Sequence, residues 1–325
     1  MGILSCTLLG ILILTFVKAK ELGFVRDTLE KFIRLVDVLD FLNSHPILKK
    51  TLALKRGTAI NLSMVSFPRL SVDIDLDYII PNSREAMFID RDIIKTIIEK
   101  HMIQEGYLLN PKSKFPHSLD ALVFDYIGFS GNKDHIKIEI NYSLRAHILP
   151  LVEKTIANDV LFKPFKVLMV NPIEIYGSKI TALLTRAAPR DLFDVYNLAK
   201  LEIFNGHELI LLKKCVIFYS SISSFDADFL FEMKSLSKIT QNRIKRELLP
   251  VLRTRDFIEI NILKEKVTQF LQDLLELTPN EKEFISQFNL GYYKPSLLFD
   301  DLDIVKNIQN HPMALWMIKS KVSVG

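Results

Sequence analysis

The stretch of sequence that decides the fold reads RLSVDIDLDYI at residues 69–79. Its apolar and polar side chains alternate, which predicts a β-strand. Successive side chains of a strand point to opposite faces, so one face carries four polar residues: Ser71, Asp73, Asp75 and Asp77. Three like charges in line on one strand face repel each other, and folding alone gives no reason for them. Carboxylate oxygens suit Mg²⁺, so we expect divalent cations at this strand.

A second strand with the same character lies downstream, where residues 136–142 read IKIEINY. Lys137 and Glu139 share its polar face, and isoleucines form the opposite face. If the two strands lie side by side, Glu139 becomes a third carboxylate beside Asp73 and Asp75. Two cations held there could activate an attacking hydroxyl and neutralise a triphosphate as it is displaced.

The segment before the aspartate strand reads LALKRGTAINL at residues 52–62. It predicts a short strand over residues 52–54 and a turn at Gly57-Thr58 that opens a helix. The free N–H groups of a helix N-terminus bind phosphate well. An Asp-x-Asp pattern alone is more often a solvated strand end. The glycine turn and the Ile-Glu-Ile strand together favour a catalytic interpretation instead.

The order of the predicted elements indicates two domains, and 325 residues are enough to bury two cores. Helices and strands follow in the order αβαβαββ up to residue 142, and helical patterns dominate after residues 150–170. We therefore predict an α+β fold, with a small mixed sheet and its helices over residues 21–160. A mostly helical C-terminal domain is predicted over residues 161–325.

The composition excludes several classes of protein. With 49% hydrophobic and 25% charged residues, the chain is not disordered. Its 11 glycines are too few for a repetitive β-sandwich or barrel. Cys6 and Cys215 cannot build a disulfide framework, which predicts a reducing, cytoplasmic location. The net charge of +4 permits a phosphate-rich partner without demanding one.

Residues 1–17 carry no charge and form, with the three residues that follow, an apolar N-terminal segment over residues 1–20. Seventeen residues are at the lower limit for a membrane span, and no basic residue precedes them as a signal peptide requires. We favour an apolar first helix, or a start codon assigned too far upstream, over a single-pass anchor. No membrane partner is therefore expected.

The Gly-Thr helix start, the Asp-x-Asp strand and the later carboxylate together resemble the signature of the nucleotidyltransferase superfamily. The closer resemblance is to the AbiEii/AbiGii toxin family, the enzymatic half of type IV toxin–antitoxin and abortive-infection systems. Further stretches that carry it are EIYGSKITALLTRAAPRDLFDVYNL at residues 174–198, YYKPSLLF at residues 292–299 and HPMALW at residues 311–316.

This resemblance implies an N-terminal nucleotidyltransferase lobe and a helical C-terminal lobe that completes the nucleotide site. It implies an NTP substrate, Mg²⁺ or Mn²⁺, and transfer of NMP to an acceptor, expected to be an RNA 3′ end and, by resemblance only, that of tRNA. It also implies a role in phage defence through growth arrest, which a separately encoded antitoxin relieves.

The resemblance also assigns the site residues. The expected catalytic residues are Asp73, Asp75, Glu139, Lys179 and Asp191, of which Asp73, Asp75 and Glu139 are also the expected metal ligands. The expected nucleotide-binding residues are Gly57, Thr58, Ser71, Lys137, Arg190 and Asp194. Lys179 could meet a triphosphate as a point charge, and Asp191 and Asp194 share a helix face from which they could orient it. Arg190 and Asp194 could equally form an i,i+4 pair on a solvated helix.

One residue departs from the family pattern, because Arg56 stands where the family usually has a glycine before Gly57-Thr58. A glycine permits backbone angles and a close phosphate approach that arginine hinders. Arg56 could supply a cation to the phosphates. Alternatively, it could mark a catalytically weakened module of the same fold that binds nucleotide or antitoxin.

Overall fold

The computed structural model describes residues 17–63, 69–156, 164–223, 233–256 and 258–322. Most of the predicted apolar N-terminal segment, residues 1–16, lies outside them. Among the described residues, no helix has both the length and the apolar character needed to cross a membrane.

The described residues form two compact units. The sheet unit comprises residues 17–142, 153–169 and 249–256, and the helical unit comprises residues 143–152, 170–248 and 258–322. The chain thus returns to the sheet unit after it has entered the helical one. The division of the sequence at residue 160 stays a prediction.

The described part of the sheet unit holds one mixed sheet of seven strands in the order β3-β4-β5-β2-β1-β7-β6. Their bounds are β1 Leu52–Leu54, β2 Asp73–Tyr78, β3 Leu108–Leu109, β4 Leu119–Ile127, β5 Lys133–Asn141, β6 Val152–Ile156 and β7 Phe165–Met169. β2 pairs with β5, and β1 with β7, in parallel. β4 and β5 form an antiparallel hairpin.

Four α-helices lie wholly within the described residues of this unit: α1 Arg26–Ser44, α2 Leu48–Thr51, α3 Arg56–Ser63 and α4 Arg84–Gln104. The buried residues of α1 recur at helical spacing, as Leu29, Phe32 and Val36 illustrate. The Oγ of Ser83 accepts a hydrogen bond from the N–H of Ala86 and so caps α4.

The predicted order αβαβαββ is confirmed, with the short α2 and β3 as additions. β6 and β7 were not predicted, because Pro150, Pro164 and Pro172 make this part of the sequence resemble a connection. β6 lies at the edge of the sheet, where charged residues such as Glu153 are common and hide the apolar pattern of a strand.

The helical unit contains eight α-helices in its described residues. They are α5 Pro172–Arg186, α6 Pro189–Lys200, α7 Gly206–Ser223, α8 Gln241–Glu247, α9 Ile260–Leu274, α10 Pro279–Asn289, α11 Leu302–Ile308 and α12 Pro312–Val322. Asn171 caps α5 by accepting a hydrogen bond from the N–H of Ile173, and Pro172 begins the helix.

α5 and α7 pack unusually close together at Gly177. A Cβ atom at this position would lie 2.6 Å from the Cβ of Cys215, a distance that real Cβ contacts do not reach. Only glycine therefore permits this approach of the two helices. The same helix, α5, carries Lys179 one half-turn further along.

Candidate active site

The aspartate strand and the later carboxylate strand are direct neighbours in the sheet. β2 and β5 are parallel, and their register pairs Asp75 with Glu139 and Asp73 with Lys137. The condition set by the sequence analysis, that the two strands lie side by side, is therefore met. Asp75 and Glu139 become adjacent because their strands pair, although 64 residues separate them along the chain.

The guanidinium of Arg56 lies between these two carboxylates. Its Nη1 is 2.6 Å from Oδ1 of Asp75 and 3.1 Å from Oε2 of Glu139. The Arg56 side chain is 46% exposed, whereas those of Asp75 and Glu139 are 12% and 19% exposed. Arg56 is the first residue of α3, and its φ of +59° lies in the left-handed region. The described glycines with positive φ do not include Gly57.

Two lysines supply further positive charge at the same strands. Nζ of Lys137 is 2.6 Å from Oε1 of Glu139. Lys55 forms a buried ion pair with Asp77, whose side chain is almost fully enclosed. Arginine and lysine side chains therefore pair with Asp75, Asp77 and Glu139, at a strand where metal ions were expected.

Burial and charge act in opposite directions on the two paired carboxylates. Burial raises the pKa of Asp75 to about 6, although the charge of Arg56 opposes it. Burial also acts to raise the pKa of Glu139, but hydrogen bonds from Lys137 and Asp75 and the charges of Lys137 and Arg56 outweigh it, and the pKa is lowered. One pair of neighbouring carboxylates thus contains a group that binds a proton more readily and a group that stays ionised.

Thr58 and Ser71 connect α3 to the start of the aspartate strand. The Thr58 hydroxyl donates to the backbone carbonyl of Asp73 and lies 2.6 Å from the Ser71 hydroxyl. Both side chains are buried. Gly57 lies in the first turn of α3, where its carbonyl accepts a hydrogen bond from Asn61. These contacts fix α3 against β2, and phosphate binding by Gly57, Thr58 and Ser71 stays a prediction.

The predicted residues of the third motif form a cluster within the helical unit. Nζ of Lys179 on α5 is 3.0 Å from Oδ1 of Asp191 and 2.7 Å from Oδ2 of Asp194, both on α6. Arg186 contacts the other oxygen of Asp191 at 2.7 Å. Arg190 points elsewhere, and its Nε donates to the carbonyl of Glu247 at 2.7 Å.

Burial affects the carboxylates of this cluster as well. The side chains of Lys179, Asp191 and Asp194 are all almost fully enclosed. Burial acts to raise the pKa of Asp191, but the charges of Lys179 and Arg186 outweigh it and lower the pKa. Asp191 therefore stays ionised inside the helical unit.

The donor chemistry of Asp73, Asp75 and Glu139 suits a divalent cation, but with the guanidinium of Arg56 between two of them their arrangement does not fit one. No three His, Cys, Asp or Glu side chains are grouped so as to hold a metal ion within the part of the chain that the structure describes. At Asp75 and Glu139 the place between the oxygens is taken by the guanidinium of Arg56.

A comparison with known protein families finds a match over most of the chain. Residues 38–290 match the family described as nucleotidyl transferase AbiEii toxin, type IV TA system. The chain belongs to this family. It is therefore a nucleotidyltransferase, and the α+β architecture with a mixed sheet agrees with the prediction. No protein with a curated description matches the chain in sequence.

Solved structures resemble this AbiEii-family chain in fold. MenT4, a nucleotidyltransferase toxin from Mycobacterium tuberculosis, is 14% identical with a TM-score of 0.54, over 89% of this chain and 94% of MenT4. JHP933 from Helicobacter pylori is 17% identical with a TM-score of 0.47, over 78% of this chain and 94% of that one.

Sequence reasoning missed two features of the site. Lys55 as the partner of Asp77 was not predicted, and neither of the two interpretations of Arg56 placed its side chain at Asp75 and Glu139. A signal was available, since Lys55 and Arg56 directly follow β1, and β1 is antiparallel to the aspartate strand. Cations at the end of β1 therefore reach the carboxylates of its neighbour.

Proposed function

We propose that this member of the AbiEii family transfers NMP from an NTP to an RNA 3′ end, that of a tRNA, and that Mg²⁺ or Mn²⁺ is required. The observation that carries the proposal is the pairing of Asp75 with Glu139 on adjacent parallel strands. A substrate hydroxyl approaching this edge would meet a carboxylate, Glu139, able to accept its proton. Asp73, Asp75 and Glu139 are assigned as the residues that would hold the metal, which would supply positive charge to the triphosphate.

The nucleotide contacts are assigned from the family motifs. Gly57, Thr58, Ser71 and Lys137 belong to the sheet unit, and Lys179, Arg190, Asp191 and Asp194 to the helical unit. Lys137 is the best supported of these, because its ammonium group is part-exposed beside Glu139 and could exchange that carboxylate for a phosphate. A separately encoded antitoxin would relieve the toxicity, and the cytoplasm is the proposed location.

A transfer assay tests this proposal. The protein is incubated with Mg²⁺ or Mn²⁺, each α-labelled NTP in turn, and total RNA or purified tRNA. We expect label in RNA with the wild-type protein and none with Asp75→Asn. Glu153→Gln is the matched control, because Glu153 is an exposed carboxylate of the same sheet, paired with exposed Lys166. Label on protein instead of RNA would contradict the RNA acceptor, and equal labelling by Asp75→Asn would contradict the site.

A second candidate function is favoured by one observation, the guanidinium of Arg56 between Asp75 and Glu139. In this alternative the chain is a nucleotide-binding or antitoxin-binding module that has lost catalysis. Nucleotide binding by the wild-type protein without transfer to any acceptor, under conditions where Arg56→Gly does transfer, would favour it.

A further inference from the structure

Arg56 holds a backbone conformation that is unfavourable for every residue except glycine. Its φ is +59°, in the left-handed region. This conformation costs a non-glycine residue about 1–2 kcal/mol, because Cβ approaches the following carbonyl oxygen. A glycine would adopt it freely. A side chain at this position therefore opposes folding locally, unless its contacts compensate.

The Arg56 side chain contacts both carboxylates of the paired strands. Nη1 lies within hydrogen-bonding distance of one oxygen of Asp75 and one oxygen of Glu139. Nζ of Lys137 contacts the other oxygen of Glu139. The two cations therefore offset the negative charge of Asp75 and Glu139. Carboxylates whose charge is offset in this way attract a divalent cation less strongly.

The guanidinium and a metal ion would also compete for space. Mg²⁺ binds oxygen ligands at about 2.0–2.1 Å, so an ion bridging these two oxygens would overlap Nη1. The Arg56 side chain is 46% exposed and can leave without opening a packed core. An anionic triphosphate offers the departing guanidinium a new partner, because arginine binds phosphate oxygens in a bidentate manner.

We propose that Arg56 excludes a divalent cation from Asp75 and Glu139: while its guanidinium lies between them, these residues do not fit the ion. This inference rests on the proposed function, which assigns both carboxylates to the metal. It goes further in assigning Arg56 two exclusive partners, the carboxylates in the free protein and the phosphates of the NTP in the complex.

Two binding measurements on the full chain, neither of which depends on activity, test the inference. The first measures Mn²⁺ affinity by electron paramagnetic resonance without nucleotide. We expect Arg56→Gly to bind Mn²⁺ at least about tenfold more tightly than wild type, since one competing charge is removed. The second measures the affinity for a fluorescent NTP in EDTA, and here Arg56→Gly should bind more weakly, because a phosphate partner is lost. A merely structural role of Arg56 would move both affinities in the same direction.

Lys137→Gln is the matched control for charge. It removes the same charge from the same Glu139 but leaves the place between the two carboxylates filled. Its Mn²⁺ affinity should rise clearly less than that of Arg56→Gly, and an equal rise would overturn the inference in favour of general electrostatics. Arg56→Gln, which removes the charge but keeps a side chain, provides the same comparison if the glycine variant is poorly folded.

The outcomes separate this inference from the function on which it rests. Unchanged Mn²⁺ affinity in Arg56→Gly, together with loss of binding in Asp75→Asn, would overturn the inference alone. Tight Mn²⁺ binding by Arg56→Gly that persists in the R56G/D75N double variant would overturn both the inference and the metal site of the proposed function.

Discussion

Two clusters of the same chemical groups behave differently in this molecule. The Arg56 cluster in the sheet unit joins Arg56 and Lys137 to Asp75 and Glu139. The Lys179 cluster in the helical unit joins Lys179 and Arg186 to Asp191 and Asp194. The bridging cation is 46% exposed in the first cluster and 6% exposed in the second.

This difference in exposure separates a replaceable contact from a permanent one. A buried charge that loses its partner is left uncompensated in a medium of low polarity, whereas an exposed guanidinium that leaves a carboxylate is rehydrated. The Arg56 cluster can therefore exchange partners with a ligand. The Lys179 cluster holds α5 to α6, and the predicted contact of Lys179 with a triphosphate would require it to give up aspartates that enclose it.

The largest expected effect is on stability, in the Lys179 cluster. Lys179→Met leaves Asp191 and Asp194 buried without their shared cation, and should lower the free energy of unfolding by about 3–5 kcal/mol. Urea denaturation measures it. Arg186→Gln is the control, because Arg186 contacts the same Asp191 from an exposed position and should cost less than about 1 kcal/mol. Equal losses in the two variants would remove the distinction between buried and exposed partners.

A buried ionisable group elsewhere in the helical unit sharpens the comparison through pH. Burial lowers the pKa of His311 to about 4, and the Phe218 ring packs edge-on against it. The unfolded chain takes up this proton near pH 6.5 and the folded chain only near pH 4. Stability should therefore fall as the pH drops from 6.5 to 4, by about 3 kcal/mol in total from this residue.

Urea denaturation across this pH range checks the prediction. His311→Gln should lose this part of the pH dependence, and His135→Gln, a change at an exposed histidine of β5, should keep it. The same slope in wild type and His311→Gln would show that another group titrates.

The helix that carries Lys179 depends on its close packing, which gives a third prediction. Gly177→Ala places a methyl group 2.6 Å from the Cβ of Cys215, so α5 and α7 must move apart. We expect a loss of about 1–3 kcal/mol in thermal or urea unfolding. Gly206→Ala is the control, since no atom lies within 4 Å of its added Cβ. Unchanged stability of Gly177→Ala would mean that α5 and α7 can move apart at little cost in free energy.

The smallest expected effect is that of Arg56→Gly on stability. The change relieves a left-handed arginine, worth about 1–2 kcal/mol, and loses contacts from a half-exposed cation, worth about 0–1 kcal/mol. The free energy of unfolding should therefore stay the same or rise by about 1 kcal/mol. A loss of more than about 1 kcal/mol would show that Arg56, like Lys179, contributes to the stability of the fold.

The sequence predicted those elements whose pattern lies within a few consecutive residues. The alternation of apolar and polar residues located β2 and β5. β6 escaped prediction because an edge strand with exposed charges has no apolar pattern. The partner of a charge also escaped, because it depends on which strands are neighbours. Lys55 meets Asp77 only through the pairing of β1 with β2.

At the candidate site, too, local patterns could be predicted and contacts that depend on the fold could not. The placement of Glu139 beside Asp75 could be anticipated from two alternating strands. The position of Arg56 between them could not be anticipated, because it depends on a left-handed backbone conformation at Arg56. No residue pattern predicts that conformation. The burial of Lys179 could not be predicted either. Helical spacing indicates which residues share a face of the helix, but not how deeply that face is buried.

The central claim is that the Arg56 cluster, with Glu139 in it, is where nucleotidyl transfer takes place. The most direct test compares transfer of label from an α-labelled NTP into RNA by the wild-type protein and by Glu139→Gln, both shown to be folded by urea denaturation. We predict that the wild type transfers label and that Glu139→Gln loses at least about a hundredfold in rate at unchanged stability, as expected for loss of a general base. Transfer by Glu139→Gln at the wild-type rate would contradict the claim.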